Sequence, residues 1–388
     1  MNAYNGFSTN QNALQAGIEA AKMAGHSSTA KIVFAYVSCD YNVKKVIEGL
    51  KQVYDCPIIG NTSFTGVILP NGYVGGNTPF VGILTVCGND LEVGVACVKK
   101  SSPDECAVAI GEAVAKKALK DAGFNYAPQV MYMAASPTEE EYFLKGISKV
   151  VGRVPFFGGS AADNTIEGNW SLFANTTVFQ EGVAVAFIYT NKDFANVFTG
   201  AYRETADMGI ITKVDGHRTL VEINGKPALK EYAKWRGMNP KQLMGGNLLS
   251  ATITSPLGVK DPLGDLIAIR HPMAGNADFS MNIGNKLATG TCVIRMEASV
   301  DELIKSVETT LVELNKRLGK PAAFYHLVHC GGRRAGIDAR INEVYDAIKR
   351  VVPNTPFITE FTFGEYGYEK DGRNTCGGLM LSFTAFAK

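Results

Sequence analysis

The chain has 388 residues, which is too long for one ordinary core and predicts two or three domains or one large body of several sheets. Its 38 Lys and Arg residues nearly balance its 37 Asp and Glu residues, and the formal net charge is +1. So small a charge gives no long-range field to attract nucleic acid or an anionic membrane surface, and neither partner is expected.

The N-terminal residues lack the basic start and the apolar run of a signal peptide, and apolar stretches such as Val183 to Tyr189 are much shorter than a membrane span. We therefore expect a soluble, cytoplasmic protein without membrane insertion. The eight Cys residues are scattered and form no Cys-x-x-Cys pair. They are expected to be reduced thiols, most of them buried.

One α/β unit occurs three times along the chain, beginning near Lys31, Gln129 and Ala323. Each copy predicts a strand, an amphipathic helix, a second strand, a polar loop and a last strand. In copies one and three, apolar residues at offsets 0, 3, 4, 7, 10 and 11 form one face of the helix, starting at Val43 and Ile341. The second copy keeps this face but has Glu140 at its first position.

Each of these helices is predicted to end before a proline, Pro57, Pro155 or Pro356, which leads into the next strand. A crossover of this length makes the two strands parallel, so their carboxyl ends lie at the same edge of the sheet, where α/β proteins bind ligands. A longer helix precedes each copy, and its predicted N-terminal capping patterns start at Ser8, Ser102 and Ser299.

The third copy is longer than the others between its first strand and the proline. That interval is 25 residues in copies one (32 to 57) and two (130 to 155) and 33 in copy three (323 to 356). The extra residues hold the basic stretch from Gly331 to Asp338. Between copies two and three, about residues 196 to 298, the sequence is irregular and includes a predicted hairpin that leads into a helix from Ala228 to Arg236.

These patterns predict an α/β protein of repeated α-β-α-β units, with mixed sheets flanked by helices, in a body of two parts. The first part, 1–195, holds two repeats, and the second, 196–388, holds an irregular β-rich insert and the third repeat.

Polar residues cluster at the predicted strand ends and are the candidate ligand-binding residues: Arg333, Arg334, Glu365, Cys330, Thr362, Asn61, Thr62, Ser63, Ser160 and Asp163. We hypothesise that Arg333 binds a carboxylate and that Glu365 or Asp163 binds an amine, as an α-amino acid would require. The alternative is that Arg333 and Glu365 pair with each other and hold the insertion in place.

No catalytic motif is convincing. Ser160 lacks the second glycine of a Gly-x-Ser-x-Gly turn, and His329 and Cys330, as neighbours on a strand, point to opposite faces. No metal site is expected, although a His or Cys330 could ligate a haem iron. The paired glycines fit neither phosphate-binding loop, and no basic run accompanies the aromatic residues, which argues against nucleic-acid binding.

The same segments carry a family resemblance that covers nearly the whole chain. Ile59-Gly-Asn-Thr-Ser and Val154-Pro-Phe-Phe-Gly-Gly-Ser-Ala-Ala-Asp resemble characteristic segments of the N-terminal part of FIST proteins. The segment from Asp215 through Glu222-Ile-Asn-Gly-Lys-Pro, the His329-Cys-Gly-Gly-Arg segment and Phe361-Thr-Phe-Gly-Glu resemble three blocks of their C-terminal part.

The resemblance implies a sensor of bacterial signal transduction that binds a small, amino-acid-like ligand and is not an enzyme. The implied partner is a histidine kinase, a cyclase or a chemoreceptor-type output protein, because this sequence contains no output domain of its own. No cofactor is expected. Two alternatives stay open: a haem-based nitric oxide sensor, which some relatives are, and an enzyme that acts on a small metabolite.

Overall fold

The computed structural model describes residues 1–260, 265–370 and 372–388. The first repeat contains β1 (Asn2–Ser8), α1 (Ala13–Ala24), β2 (Ala30–Val37), α2 (Val43–Lys51), β3 (Ile58–Thr62), β4 (Gly66–Leu69), β5 (Gly72–Gly75) and β6 (Val81–Cys87). The second contains β7 (Leu91–Lys99), α3 (Ala107–Ala122), β8 (Val130–Ala135), α4 (Glu140–Val151), β9 (Phe156–Ser160), β10 (Leu172–Ala174), β11 (Thr177–Phe179) and β12 (Gly182–Thr190).

The third repeat begins with one strand, is interrupted by the insert, and then continues. Its first strand is β13 (Phe194–Thr199). The insert contains β14 (Arg203–Asp215), β15 (Thr219–Ile223), β16 (Lys226–Pro227), α5 (Ala228–Trp235), α6 (Asn247–Thr252), β17 (Leu257–Lys260), β18 (Ile267–Arg270), β19 (Pro272–Gly275), β20 (Met281–Ile283) and β21 (Cys292–Glu297). The repeat resumes with α7 (Val300–Leu318), β22 (Ala322–Cys330), α8 (Gly331–Ile337), α9 (Ile341–Val351), β23 (Phe357–Thr362), β24 (Glu365–Tyr368), β25 (Asn374–Gly377) and β26 (Leu381–Ala387).

The predicted class is confirmed: several mixed sheets are flanked by helices in a body of two parts. Each repeat pairs its two crossover strands in parallel, β2 with β3, β8 with β9 and β22 with β23. The predicted hairpin and helix of the insert are β14–β15 and α5. The predicted boundary near residue 195 falls within β13 and stays a prediction.

The predicted caps are right in one case of three. Ser299 caps α7 and forms a reciprocal capping box with Glu302. The cap of α1 is Asn12, not a residue at Ser8, and α3 begins after Cys106, which makes no side-chain cap. Ser8 is instead the last residue of β1, and its hydroxyl donates to Glu19. The polar residues at the start of the chain form a strand, which the capping pattern did not predict. Within the described ranges, no helix combines the length and the apolar composition needed to cross a membrane.

The three repeats exchange hairpins in a cycle. The hairpin β4–β5 of the first repeat pairs with β23 of the third, β10–β11 of the second pairs with β3 of the first, and β24–β25 of the third pairs with β9 of the second. Each of these three sheets is therefore completed by strands from another repeat. The eight-stranded sheet of the insert is built from β14 to β21.

Side chains from all three repeats meet in a fully buried group that we call the central polar cluster: Tyr36, Asn61, Tyr132, His326 and Glu360. His326 Nε2 lies 2.5 Å from the Tyr36 hydroxyl, which lies 3.1 Å from the Tyr132 hydroxyl. Tyr132 donates to Asn61 Oδ1 at 3.1 Å, and Asn61 Nδ2 donates to Glu360 Oε2 at 3.2 Å. One chain of hydrogen bonds therefore links the three repeats.

Burial keeps the members of the central polar cluster uncharged at neutral pH. Loss of hydration lowers the pKa of His326 to about 3 and raises the pKa of Glu360 to about 8. When the neutral imidazole of His326 donates from Nε2, the hydrogen bonds all point the same way, from His326 through Tyr36 and Tyr132 to Asn61. The cluster thus joins the repeats without a buried ion pair.

We predict that Glu360 makes stability fall as the pH rises. Between its unfolded pKa of about 4.3 and its folded pKa of about 8, the folded state keeps a proton that the unfolded state releases. The stability of wild type relative to Glu360→Gln should therefore decline from pH 5 to pH 8, by at most about 1.4 kcal/mol per pH unit. Urea unfolding of both proteins at several pH values measures this difference.

The matched control is Glu302→Gln. Exposed Glu302 has its pKa lowered to about 2, chiefly by the Ser299 amide, so its contribution is lost only as the pH falls below the unfolded value and is constant from pH 5 to 8. A stability difference between wild type and Glu360→Gln that stays constant from pH 5 to pH 8 would contradict the raised pKa of Glu360.

Candidate functional site

A cavity of about 520 Å³ lies where loops of the repeats meet the insert. The repeats contribute Phe64, Pro137, Thr138, Glu140, Ile166, Glu167, Gly168, Trp170, Cys330, Gly331, Gly332, Ala335, Phe363 and Gly378. The insert contributes Arg218, Leu249, Ser250, Ile253, His271, Met273, Ile283 and Gly284. Most of the loops from the repeats follow the carboxyl ends of parallel strands, which is where α/β proteins bind ligands. The size is that of a small-molecule site.

One wall of the cavity is aromatic. The rings of Trp170 and Phe363 lie 6.3 Å apart at 87°, and Phe363 lies 5.9 Å from Phe64. The insert adds the apolar side chains of Ile253, Met273 and Ile283 to the lining. An apolar ligand body would lose its contact with water against these side chains.

The loop that carries Trp170 is held by Asp163, which is fully buried. Its carboxylate accepts hydrogen bonds from the backbone N–H groups of Thr165, Ile166, Glu167 and Asn169, at 2.5 to 3.3 Å. Four donors on one carboxylate fix the course of a loop that has no regular structure of its own. Asp163 therefore positions part of the cavity wall, and its oxygens are already used.

Glu140 places a buried carboxyl group on the cavity wall. The residue is 1% exposed, and its Oε2 forms an ion pair with Arg218 Nη2 at 3.1 Å but makes no hydrogen bond. Arg218 Nη2 donates instead to Glu141 at 2.6 Å, and Nη1 donates to the carbonyl of Gly284. Burial raises the pKa of Glu140 to about 7, against the opposing effect of the Arg218 charge.

The sequence contains a signal for this residue that site prediction missed. Glu140 occupies the first position of the apolar helix face, where the other repeats have Val43 and Ile341. A charged residue in a buried position is costly unless it is paired or has a function. The expectation that ligands bind at the carboxyl ends of the strands selected other residues.

Cys330, one of the predicted ligand-binding residues, lies on the cavity wall, where it is not a reactive thiolate. Its Sγ accepts from the N–H groups of Gly332 and Leu379, each at 3.2 Å, and burial raises its pKa well above the usual range. The neighbouring His329 bonds the Cys330 carbonyl through Nδ1, and burial lowers its pKa to about 3. This pair is not arranged as a nucleophile and its base.

The fit of the cavity to haem can be judged from its donors. His271 uses Nε2 on the carbonyl of Leu249 at 3.2 Å, and the Cys330 sulfur is a protonated thiol with two N–H donors. Both groups are thus engaged by the protein, which does not favour iron ligation. Among the described residues, no three His, Cys, Asp or Glu side chains converge in a way that could hold a metal ion.

Arg333 does not line the cavity. Its guanidinium is fully buried and donates to the carbonyls of Gly200 and Leu303 and to Ser306 Oγ, at 2.7, 2.9 and 2.5 Å. Glu365 has other partners: it accepts from Thr362 Oγ1 at 2.9 Å and from the Met380 N–H at 2.8 Å. The structure thus favours neither a ligand carboxylate on Arg333 nor an ion pair between these residues.

Three of the predicted site residues hold the exchanged hairpins in place. Ser63 Oγ accepts from the Phe361 N–H at 2.8 Å, and Thr62 Oγ1 accepts from the Ser171 N–H at 2.9 Å. Ser160 shares a 2.7 Å hydrogen bond with the hydroxyl of Tyr366. All three side chains are fully buried. They serve contacts between repeats and are absent from the cavity lining.

The remaining predicted site residues also lie away from the cavity walls. Asn61 is part of the central polar cluster. Arg334 is on α8, donates to the Asp338 carbonyl and to the Tyr73 hydroxyl, and lies over the Tyr73 ring. Cys330 is thus the one residue of the predicted set that lines the cavity, within the part of the chain that the structure describes.

Strand ends, an aromatic wall and a buried carboxyl group thus surround a cavity of small-molecule size in an α/β protein. The chain belongs to the FIST family: residues 31–226 match the FIST N domain, and residues 228–368 match the FIST C domain. FIST domains are small-ligand sensor domains of signalling proteins. The resemblance noted from the sequence is thereby confirmed.

Other comparisons are distant. A sequence comparison with curated proteins finds no match. A cyanuric acid hydrolase from A. caulinodans is similar in structure at 10% identity, over 100% of this chain and 99% of its own, with a TM-score of 0.39. A chorismatase is similar at 8% identity, over 100% and 98%, with a TM-score of 0.36. We infer no activity from these likenesses.

We predict that Asp163→Asn loosens the cavity wall. An amide has one acceptor oxygen where the carboxylate has two, so some of the four backbone N–H groups lose their partner. In hydrogen exchange, the amides of 165–169 should exchange about tenfold faster or more, which corresponds to about 1.4 kcal/mol. Glu167→Gln, a change of an exposed carboxylate in the same loop, is the control and should leave these rates unchanged. Equal rates in wild type and Asp163→Asn would refute the positioning role.

Proposed function

We propose that this protein is a signal-transduction sensor that binds a small, amino-acid-like ligand in the cavity between the repeats and the insert. The observation that carries the proposal is the carboxyl group of Glu140, buried on the wall of an apolar cavity with an oxygen that makes no hydrogen bond. The Arg218 charge, 3.1 Å from that oxygen, offsets part of the cost of burial, and a ligand donor would supply the hydrogen bond that the oxygen lacks.

The cavity indicates the chemistry of the ligand. An ammonium group beside Glu140 would form a charge-assisted hydrogen bond in a site of low dielectric constant. The aromatic wall of Trp170, Phe363 and Phe64 suits an apolar or aromatic ligand body. The amine-binding role therefore belongs to Glu140 rather than to Glu365 or Asp163, whose oxygens already have partners.

Ligand binding would act on the arrangement of the two parts of the chain. Glu140 and Trp170 lie in the first part and Arg218 in the second, so a ligand between them favours the arrangement in which both surfaces contact it. A partner kinase, cyclase or chemoreceptor-type protein reads that shift. The eight free cysteines support a reducing compartment such as the cytoplasm.

A binding role without catalysis is supported by the state of the nucleophile candidates. Cys330 is held as a neutral thiol, and the hydroxyl of Ser160 is bonded to Tyr366 rather than to a base. A haem sensor and an enzyme for a small metabolite are the competing functions. A Soret band on haem addition, or turnover of a metabolite, would favour them over the proposal.

The first test measures binding of L-phenylalanine by calorimetry. Glu140→Gln keeps the size of the side chain but removes its charge, so the affinity should fall about tenfold or more while folding is preserved. The control is Glu139→Gln, because this neighbouring carboxylate pairs with Lys100 at 2.6 Å and does not line the cavity. An unchanged affinity in Glu140→Gln, or no binding to wild type, would refute the proposed site.

The second test uses the pH dependence of that affinity. Because the pKa of Glu140 is raised to about 7, the carboxyl group is largely protonated at pH 6 and must lose its proton to bind an ammonium group. The affinity should therefore rise by up to about tenfold from pH 6 to pH 8, with proton release measurable in buffers of different ionisation enthalpy. In Glu140→Gln, the affinity should not vary in this range.

A further inference from the structure

Two residues that line the cavity hold a backbone conformation that their side chains disfavour. Thr138 and Ile166 have φ angles of 87° and 62°, which lie in the left-handed region. Both side chains branch at Cβ, and for such residues a positive φ is rare and strained. In the described part of the chain, three β-branched residues have a positive φ, and the third, Thr65, follows Phe64, which also lines the cavity. This strain is therefore concentrated at the candidate site, as is typical of functional regions.

The loop that contains Ile166 is held in this conformation by hydrogen bonds on both sides. The Ile166 N–H donates to Asp163 Oδ1 at 2.5 Å. Further along the loop, the amide of Gln180 donates to the carbonyl of Gly168, and Trp170 Nε1 donates to the carbonyl of Gln180 at 3.2 Å. The contacts that fix the Trp170 ring in the cavity wall thus also keep Ile166 in the left-handed region.

Ileucine at this position is not explained by the folded protein alone. The side chain of Ile166 is 47% exposed, so burial offsets only part of the backbone strain. Asparagine and glycine tolerate a positive φ far better than a β-branched residue does. Neither the backbone nor the exposure therefore favours a large apolar side chain here, and an apolar contact from a bound molecule would.

Ile166 lies on the part of the cavity where an apolar ligand body is expected. Gly168, two residues further along the loop, lines the cavity, and a Cβ atom added to it would lie 4.0 Å from Trp170 Cη2. The loop segment from Ile166 to Gly168 is therefore next to the Trp170 ring. That ring forms the aromatic wall together with Phe363, 6.3 Å away.

We infer that Ile166 covers the apolar body of the bound ligand and thereby selects amino-acid-like ligands with a large apolar side chain over those with a small one. A ligand that lies against Trp170 removes the exposed surface of Ile166 from water, and this burial adds to its affinity. The inference rests on the proposed function and narrows its ligand class. Ile166 is a specificity-determining residue for binding.

The test compares L-phenylalanine with L-alanine, which has the same ammonium and carboxylate but only a methyl side chain. Calorimetry measures L-phenylalanine directly and L-alanine by competition. In Ile166→Asn, the preference for L-phenylalanine should fall about fivefold or more, through loss of affinity for L-phenylalanine alone. In Ile166→Leu, which keeps a large apolar side chain, the preference should stay within about twofold of wild type.

The thermal midpoint of the free protein gives a readout that a structural role of Ile166 would not share. Because asparagine tolerates the left-handed region, Ile166→Asn should leave the midpoint unchanged or raise it by about 2 °C while it weakens binding. The matched control is Ile210→Asn, since Ile210 is 44% exposed on β14 and is outside the cavity lining. This control should leave the preference unchanged.

The outcomes separate this inference from the proposed function. If Ile166→Asn keeps the wild-type preference, or if it lowers the thermal midpoint by several degrees, Ile166 has no role in selection and the inference is wrong, while the proposed function stands. If Glu140→Gln binds L-phenylalanine as tightly as wild type, or wild type does not bind it, the proposed function fails and this inference fails with it.

Discussion

The exchange of hairpins is the constraint on which the rest of the structure depends. No sheet of a repeat is completed by its own strands, because each receives its outer hairpin from another repeat. The central polar cluster can therefore form only when all three repeats are in place, since its hydrogen bonds run across their strands. The same arrangement brings loops of the different repeats to one cavity.

The local elements of the fold could be predicted from the sequence, but the exchange could not. The apolar face of α2, the prolines and the crossover lengths are local patterns, and they determine helices and parallel pairs directly. The pairing of β4 with β23 depends on contacts such as that of Ser63 with Phe361, 298 residues away in the chain. A hairpin has the same alternating pattern whichever sheet it joins.

The candidate site, like the fold, could be predicted from the sequence only in part. The strand ends lie near the candidate cavity, and Cys330 is part of its wall. Ser63, Ser160 and Asp163, however, are used by backbone groups and by the exchanged hairpins, because those hairpins dock at the strand ends. Glu140 carried a usable signal as a charge on an apolar helix face.

The central claim is that one ligand joins the two parts of the chain at the polar end of this cavity. Its binding energy would come from burial of an apolar body against Trp170 and Phe363 and from a hydrogen bond to Glu140 Oε2, which makes none in the folded protein. A crystal structure of the protein grown with saturating L-phenylalanine tests this most directly. The account predicts ligand density with the ammonium beside Glu140 and the ring against Trp170. Ligand density at another site, or ordered water alone in the cavity, would contradict it.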